Sequence, residues 1–201
     1  MSARREEIID VAKGLFARKG YTATTMRDIA DATDLLAGSL YSHFRSKAHL
    51  LELVILPFYD ELIPQQRQAL ASEGTGAERT AEMLRRVLAV CADHDAELTI
   101  LHYDWSHLAT VDELATVLAR SAETLDLWEQ VLETGRADGS LRSEISVPTA
   151  VRIITSSIHG VLDRRRYRGL DGPTDPGDRL DLAGEVVGAL TVGLAAVPER
   201  V

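Results

Sequence analysis

A single cysteine, Cys91, leaves no partner for an internal disulfide, and nothing in the composition marks an oxidising compartment. Prolines number only 6 in 201 residues, and β-branched runs bounded by turn signals are scarce, so a large sheet is not expected. No window approaches the ~18 consecutive apolar residues that a membrane-spanning helix requires. The charged opening MSARREEIID has no apolar core of signal-peptide length. These absences lead to the expectation of a cytoplasmic protein with no membrane partner. The chain also lacks the spacings that carry common chemistry: no H-E-x-x-H, no phosphate-cradling glycine loop, no G-x-S-x-G elbow. His94, His102 and His107 are not spaced as metal ligands on one helix face, and His43 has no partner that would make it a general base. No catalytic residue, metal site or cofactor is expected, and the reading of the chain as a helical enzyme stands only as an alternative.

What is present favours helix. Hydrophobic residues make up 45% and charged residues 26%, with Ala, Leu, Glu and Arg abundant. The net charge of -9 would at first argue against nucleic acid, yet it is unevenly spread. Residues 1–50 carry 8 Lys/Arg against 6 Asp/Glu, and the rest carries 14 against 25. A mildly basic first quarter on an acidic body suits a local DNA reader.

Apolar spacing predicts a first helix from Ala3 to Lys19, with Ile8, Ala12, Leu15 and Phe16 on one face and Gly20 as its stop. Thr25-Met26-Arg27-Asp28 has the form of a capping box for a second, short helix that carries Ile29 and Ala30 inward. Asp34 tolerates a left-handed backbone, which puts a tight turn at Thr33-Asp34. A third helix follows from Leu36 to Phe44, with Leu40 and Phe44 four apart on its buried side. Ser46 can cap a fourth helix, from Lys47 to Leu70. After the polar break Ser72–Gly76, helices are expected over Ala77–Ala92, Glu97–Leu108 and Val111–Thr134, the last ended by the Gly135 and Gly139 region. Leu141–Ile145 reads as an irregular link. Pro148 suits the first turn of a helix with Val151, Ile154, Ile158, Val161 and Leu162 at helical spacing. A loop covers Asp171–Gly177, and a last helix runs from Arg179 to Ala196. The expected fold is all-α: an N-terminal three-helix helix-turn-helix domain over residues 1–47, then a C-terminal helical bundle over 48–201, with about nine helices in all.

Two short helices joined by a tight turn and braced by a longer one form the helix-turn-helix pattern, whose second helix enters the major groove. The residues Thr24-Thr25, Ile29-Ala30, then Gly38-Ser39-Leu40-Tyr41-Ser42-His43-Phe44-Arg45-Ser46-Lys47 and Leu50 closely resemble the DNA-binding domain of the TetR family, at fixed spacing over about a quarter of the chain. The resemblance implies a DNA-binding transcriptional regulator, with a repressor as the first expectation and double-stranded DNA with a palindromic operator as its partner. It implies that Thr25, Tyr41, His43 and Lys47 meet the phosphate backbone, that Arg27 meets a phosphate or a base, and that Leu36, Ala37, Ser39 and Ser42 face the bases, with Gly38 at the groove. The physics agrees. Gly38 lacks a Cβ and lets the helix press close. Leu36 and Ala37 could touch thymine methyls, Ser39 could bond a base edge, and Thr25 sits at a helix N-terminus, which attracts anions. Arg27 suits a phosphate or a base. Tyr41 also admits a packing role, and Ser46 is first a helix cap. Three positions depart from the family pattern: Asp34 for the turn glycine, Thr33 for a small alanine, and Leu36 for a serine that would cap the recognition helix. These departures leave a non-DNA-binding interaction module as a further alternative. Leu36 followed by Gly-Ser-Leu-Tyr looks like a subgroup of actinobacterial repressors of steroid and fatty-acid breakdown that respond to coenzyme A thioesters.

In the larger domain, His102, Tyr103, Trp105, Trp128, Arg152 and His159 stand on otherwise apolar helices and are candidates for an effector pocket. Core packing with satisfied polar tips is the other reading of the aromatic and histidine residues, and Arg152 fits an exposed position equally. The run Arg164–Arg168 ends a helix, where cations favourably meet the dipole. The resemblance adds the reading that Arg165 or a neighbour binds the phosphates of an acyl-CoA. Gly184 and Gly188, with Ala183, Val187 and Leu190, and the pair Ser156 and Gly160, permit close helix approach in a homodimer. A two-fold pair would set its readers one DNA turn, ~34–36 Å, apart.

Overall fold

The computed structural model describes residues 3–162 and 176–195, apart from the side chains of residues 37, 161, 162 and 176–183. Among them, nine α-helices and one short 3₁₀ turn account for the secondary structure, with no strand. They are α1 (Ala3–Lys19), α2 (Met26–Ala32), α3 (Ala37–His43), α4 (Lys47–Leu70), α5 (Gly76–Asp93), α6 (Asp95–Leu108), the 3₁₀ turn Asp112–Leu114, α7 (Ala115–Ala137), α8 (Val147–Leu162) and α9 (Pro176–Leu194). No helix among the described residues is long and apolar enough to cross a membrane. The arginine run 164–168, Arg165 included, and loop positions 171–175 lie outside the described residues.

Internal contacts gather the chain into two units. One comprises residues 1–60 and 94–121, the other residues 61–93 and 122–201, the boundary falling inside α4 and inside α7. In the first unit α1 packs on α2 and α6, and α2 on α3. Ile8, Ala12, Phe16, Ile29, Ala30, Leu40, Phe44, Leu51 and Ile55 are buried there. In the second unit α5 packs on α8 and α9, which also pack on each other. Its core includes Met83, Leu84, Val87, Trp128, Val131, Ile154 and Ile158.

Two local details add to the sequence expectation. The helix expected to end in the Gly135 and Gly139 region ends there, at Ala137, and Gly135 inside its last turn is a close-approach position. A Cβ on Gly76 would fall within contact of Gly135 Cα and N and 2.7 Å from the Thr134 carbonyl carbon. The chain turns at Gly139, with φ +75°. Likewise, the polar break before α5 ends in a capping box. The Glu78 N–H donates to Thr75 Oγ1 (3.3 Å) and the Thr75 N–H to Glu78 Oε2 (2.7 Å). The first α5 amides are satisfied by Asp138 (2.6 Å from Gly76 N) and Ser140 (2.9 Å from Ala77 N). The link after Gly139 is tied to the end of α9, where the Arg142 N–H donates to the Leu194 carbonyl at 2.9 Å.

Candidate nucleic-acid interface

The α2–turn–α3 geometry follows from a few short-range bonds. Thr25 is the N-cap of α2: its Oγ1 accepts from the Asp28 N–H at 3.1 Å, and Asp28 Oδ2 accepts from the Thr25 N–H at 2.7 Å. Lys19 Nζ stands 2.9 Å from the same carboxylate. The Thr25 hydroxyl, Lys19 and the Thr25 amide, in that order, hold the Asp28 carboxyl well below the usual carboxylate range. At the far end of α2, Thr33 is buried, and its hydroxyl donates to the Ile29 carbonyl at 2.8 Å. The extra polar group that replaces alanine is thus satisfied without a new partner. Asp34 takes φ +54°, the left-handed turn that its side chain tolerates. The Leu35 N–H then returns to the Ala30 carbonyl at 2.9 Å.

Helix α3 is two-faced. Leu40 and Phe44 are 0% and 1% exposed and anchor it. Leu36 is 80% exposed, and Gly38, Ser39, Tyr41, Ser42 and His43 are exposed too. Leu36 is the N-cap residue and makes no side-chain cap bond, as expected of an apolar residue there. A Cβ on Gly38 would meet nothing within 4 Å. The side chain of Ala37 is outside the described set. The Ser42 hydroxyl donates to the Ser39 carbonyl at 2.6 Å. Arg27 projects from α2 with its side chain 85% exposed and only a 3.9 Å ion pair to Asp31.

Lys47 also has a role inside the fold. It stands at the start of α4, but its ammonium folds inward over the Tyr21 ring, 4.2 Å from the centroid. There it donates to the carbonyls of Tyr21 (2.8 Å) and Thr24 (2.9 Å). An ammonium has three donors, so one N–H at most is left for a phosphate. Burial, countered by nearby Asp104, pushes its pKa down. Lys47 is first a clamp on the α1–α2 turn. Ser46 caps α4 as expected, accepting from the His49 N–H at 3.0 Å, and its hydroxyl also donates to Glu113 at 2.5 Å.

Sequence reasoning missed two carboxylates on α6 that grip this region. Asp104 Oδ2 accepts from the Tyr21 N–H at 3.0 Å. Glu97, buried at 5% exposure, lies 3.5 Å from Lys13 Nζ and 3.4 Å from His94 Nδ1. Each is more than 80 residues from its partner on α1 or the following turn, so only the fold could reveal the pairing.

The expected effector residues divide between the two units. His102 and Tyr103 are exposed and Trp105 is 37% exposed on α6, whose buried apolar residues are Leu98, Ile100, Leu101 and Leu108. The His102 and Tyr103 rings meet edge-on at 4.9 Å. These three belong to the first unit; Trp128, Arg152 and His159 belong to the second. Trp128 is 2% exposed, which fits core packing. Arg152 is exposed, as the alternative reading allowed. His159 Nδ1 lies 2.7 Å from the Thr155 carbonyl. A groove of about 710 Å³ on the second unit is lined by Leu70, Asp126, Glu129, Gln130, Glu133, Thr134 and Ala137, and by none of the expected residues. Its three carboxylates give it the wrong sign for a phosphate-bearing ligand.

Comparison with known proteins agrees with this geometry. Residues 8–54 match the model of bacterial regulatory proteins of the tetR family, and residues 73–163 match a tetracyclin repressor-like C-terminal domain. The transcriptional repressor KstR2 of Rhodococcus jostii (strain RHA1) is 39% identical over 155 residues, which cover 76% of this chain and 75% of the relative. KstR2 of Mycobacterium tuberculosis (strain H37Rv) is 30% identical over 154 residues, covering 77% of each. The solved structure of the ketosteroid transcriptional regulator KstR2 of Mycobacterium tuberculosis superposes with a TM-score of 0.82 at 25% identity, covering 98% of this chain and 97% of the other. A chain whose reader, helical body and relatives all agree in this way belongs to the TetR family, and it is a DNA-binding transcriptional repressor of that family.

Proposed function

We propose that this repressor acts in the cytoplasm as a homodimer on a palindromic operator and is released by a small apolar or acyl-CoA-type effector. The observation that carries the reading is the outward face of α3, which exposes Leu36, Gly38, Ser39, Tyr41, Ser42 and His43 around a buried Leu40–Phe44 anchor. In this reading Leu36, Ala37, Gly38, Ser39 and Ser42 meet base edges. Thr25, Arg27, Tyr41, His43 and the spare N–H of Lys47 meet phosphates. The functional boundary falls near residue 47, which divides reader from effector domain and is a different division from the two contact units. Support for pairing comes from α9. Gly184, Gly188 and Gly193 have open space where a Cβ would stand, and Val192 is 75% exposed. On α8, Ile153 and Ser156 are exposed. Burial of such surface by a second copy is favourable.

The effector class rests on the relatives. The regulator that shares 25% identity over nearly the whole chain is described as a ketosteroid regulator. An effector can release DNA only by favouring one of two conformations. The bonds from Asp104 and Glu97 on α6 to the α1 region supply a physical link that could carry such a shift. The test is fluorescence anisotropy on the palindrome upstream of the protein's own operon, repeated with acyl-CoA thioesters of steroid fragments and with free fatty acids. Tight binding relieved by one class of thioester is the expected result. Binding that no ligand relieves would remove the effector half of the proposal, and sedimentation as a monomer at working concentration would remove the dimer.

A further inference from the structure

Helix α3 begins without a side-chain cap, because Leu36 at its N-cap contributes no bond. Its direction is therefore set by the turn before it, residues 33–35. Most of the bonds that close this turn are local. The Thr33 hydroxyl donates to the Ile29 carbonyl at 2.8 Å, the Asp34 N–H to the Asp31 carbonyl at 3.4 Å, and the Leu35 N–H to the Ala30 carbonyl at 2.9 Å. The Thr33 carbonyl is different. It belongs to a residue only 3% exposed, at the C-cap of α2, where a helix leaves its last carbonyls without amide partners. Its donor is the Arg4 guanidinium, through Nη2, 29 residues earlier in the chain.

Arg4 stands in the first turn of α1. Its Nη1 is held by Glu7 Oε2 at 2.7 Å, one helical turn further on. That ion pair steadies the planar guanidinium while the neighbouring Nη2 donates to Thr33. Three effects add at the Thr33 carbonyl. A bond from a cation is stronger than one from a neutral amide. The positive charge meets the negative end of the α2 dipole. A carbonyl on a buried residue, left without a donor, would cost its desolvation. At the other end of α2, Lys47 donates to the carbonyls of Tyr21 (2.8 Å) and Thr24 (2.9 Å). Helix α2 is thus held at both ends by a cation from another helix, Lys47 of α4 ahead of it and Arg4 of α1 behind it.

We propose that Arg4 is a positioning residue for base recognition. By pinning the Thr33 carbonyl it fixes the angle at which α3 leaves α2, and so sets how the exposed face of α3 registers with operator bases. The inference rests on α3 being the base-reading helix. Arg4 itself touches no DNA, since its charge and its donors are engaged inside the fold. Base edges demand a side chain at hydrogen-bond distance, whereas phosphate contacts only position the protein. Loss of the Arg4 tie therefore lowers specificity ahead of general affinity.

The test compares the full-length protein on the palindrome upstream of its own operon and on a mixed-sequence duplex, across a salt series. Arg4→Met keeps an apolar stem and removes the donors and the charge. It should cut the ratio of palindrome to mixed-sequence affinity by about tenfold, with the slope of log affinity against log salt unchanged. Arg4→Lys should recover most of the ratio. Glu7→Gln, whose amide oxygen can still accept from Nη1, should leave it near that of the wild type. Amide hydrogen exchange gives a second readout. In Arg4→Met the Leu35 amide should exchange faster, whereas the Phe44 amide, bonded to Leu40 within the reader helix, should not. A slope lowered by about 0.9, with equal losses on both duplexes, would make Arg4 a phosphate contact and overturn the proposal. An unchanged ratio in Arg4→Met, or an equal fall in Glu7→Gln, would overturn it as well. Should Arg4→Met fail to fold by circular dichroism, Arg4→Gln takes its place, since its shorter side chain cannot span the same gap. A wild type that binds both duplexes equally would sink the base-reading role of α3 together with the proposal, an outcome distinct from a wild type that discriminates with Arg4 indifferent.

Discussion

Glycine serves opposite purposes in two parts of this molecule. Where α5 meets the end of α7, Gly76 and Gly135 face each other, and a Cβ on either would run into the chain itself: the Gly135 backbone in one case, Leu141 Cδ1 at 2.5 Å in the other. On α3, a Cβ on Gly38 would meet nothing within 4 Å. Glycine costs up to ~1 kcal/mol against alanine in a helix interior, and less in the first turn, where Gly38 and Gly76 stand. At the first place internal packing explains that cost. At the second nothing inside the chain does, and in the proposed reading the groove that the helix enters supplies the reason. The comparison breaks most directly at Gly76→Ala. Backbone cannot yield as a side-chain tip can, so the variant should lose more than about 3 kcal/mol, at or beyond the usual range for overpacking. Urea denaturation measures this, and a wild-type midpoint would show that the α5–α7 approach does not need glycine.

The same inside–outside contrast recurs between two leucines four residues apart. Leu40 is fully buried and Leu36 is 80% exposed. Leu40→Ala should cost about 2–5 kcal/mol of stability, and any loss of DNA binding should follow the unfolded fraction. Leu36→Ala should leave the denaturation midpoint unchanged and alter the preferred operator sequence instead. Leu36→Ser should add a cap and raise stability by up to ~1 kcal/mol while losing the apolar contact. A stability loss at Leu36 comparable to that at Leu40 would mean the outward face had been misread.

Both contrasts bear on what could be read from the chain before its fold. The two-faced α3 was legible because Leu40 and Phe44 recur at the helical interval and because Asp34 is a residue that accepts φ +54°. The Thr25–Asp28 box was legible because cap and partner lie three residues apart. Lys47 was not: its partners are backbone carbonyls at 21 and 24, a chemistry every residue type shares and no pattern advertises. The close approach at Gly135 was not legible either, because a glycine at close approach and a glycine that stops a helix look identical in one dimension. The expected effector residues were chosen by type, and residue type does not say on which side of a helix edge an aromatic such as Tyr103 or Trp105 falls.

Gly38→Ala sharpens the glycine comparison at moderate scale. Helix propensity predicts a gain of up to ~1 kcal/mol in stability, with no internal clash to offset it. DNA affinity should move the opposite way, by tenfold or more, about 1.4 kcal/mol. Thermal denaturation and anisotropy on one preparation suffice. A variant both more stable and equally tight on DNA would show that the open space over Gly38 is never filled.

The smallest expected effect compares the two capping boxes, Thr25–Asp28 in the reader and Thr75–Glu78 at the start of α5. Both carboxyls are held below their ordinary range by the threonine they cap against, and Asp28 is pulled further by Lys19. A carboxyl depressed in the folded state stabilises above its unfolded pKa, and the contribution fades as pH falls through the folded one. Stability should therefore decline from about pH 5 downward in the wild type. Asp28→Asn should flatten that decline more than Glu78→Gln does. The excess at Asp28 comes from an exposed ammonium, so high salt should screen it and bring the two variants together. Urea midpoints measured across the acid range at low and high salt separate the possibilities. Equal flattening at both ionic strengths would show that Lys19 adds nothing and that the two caps work by hydrogen bonding alone.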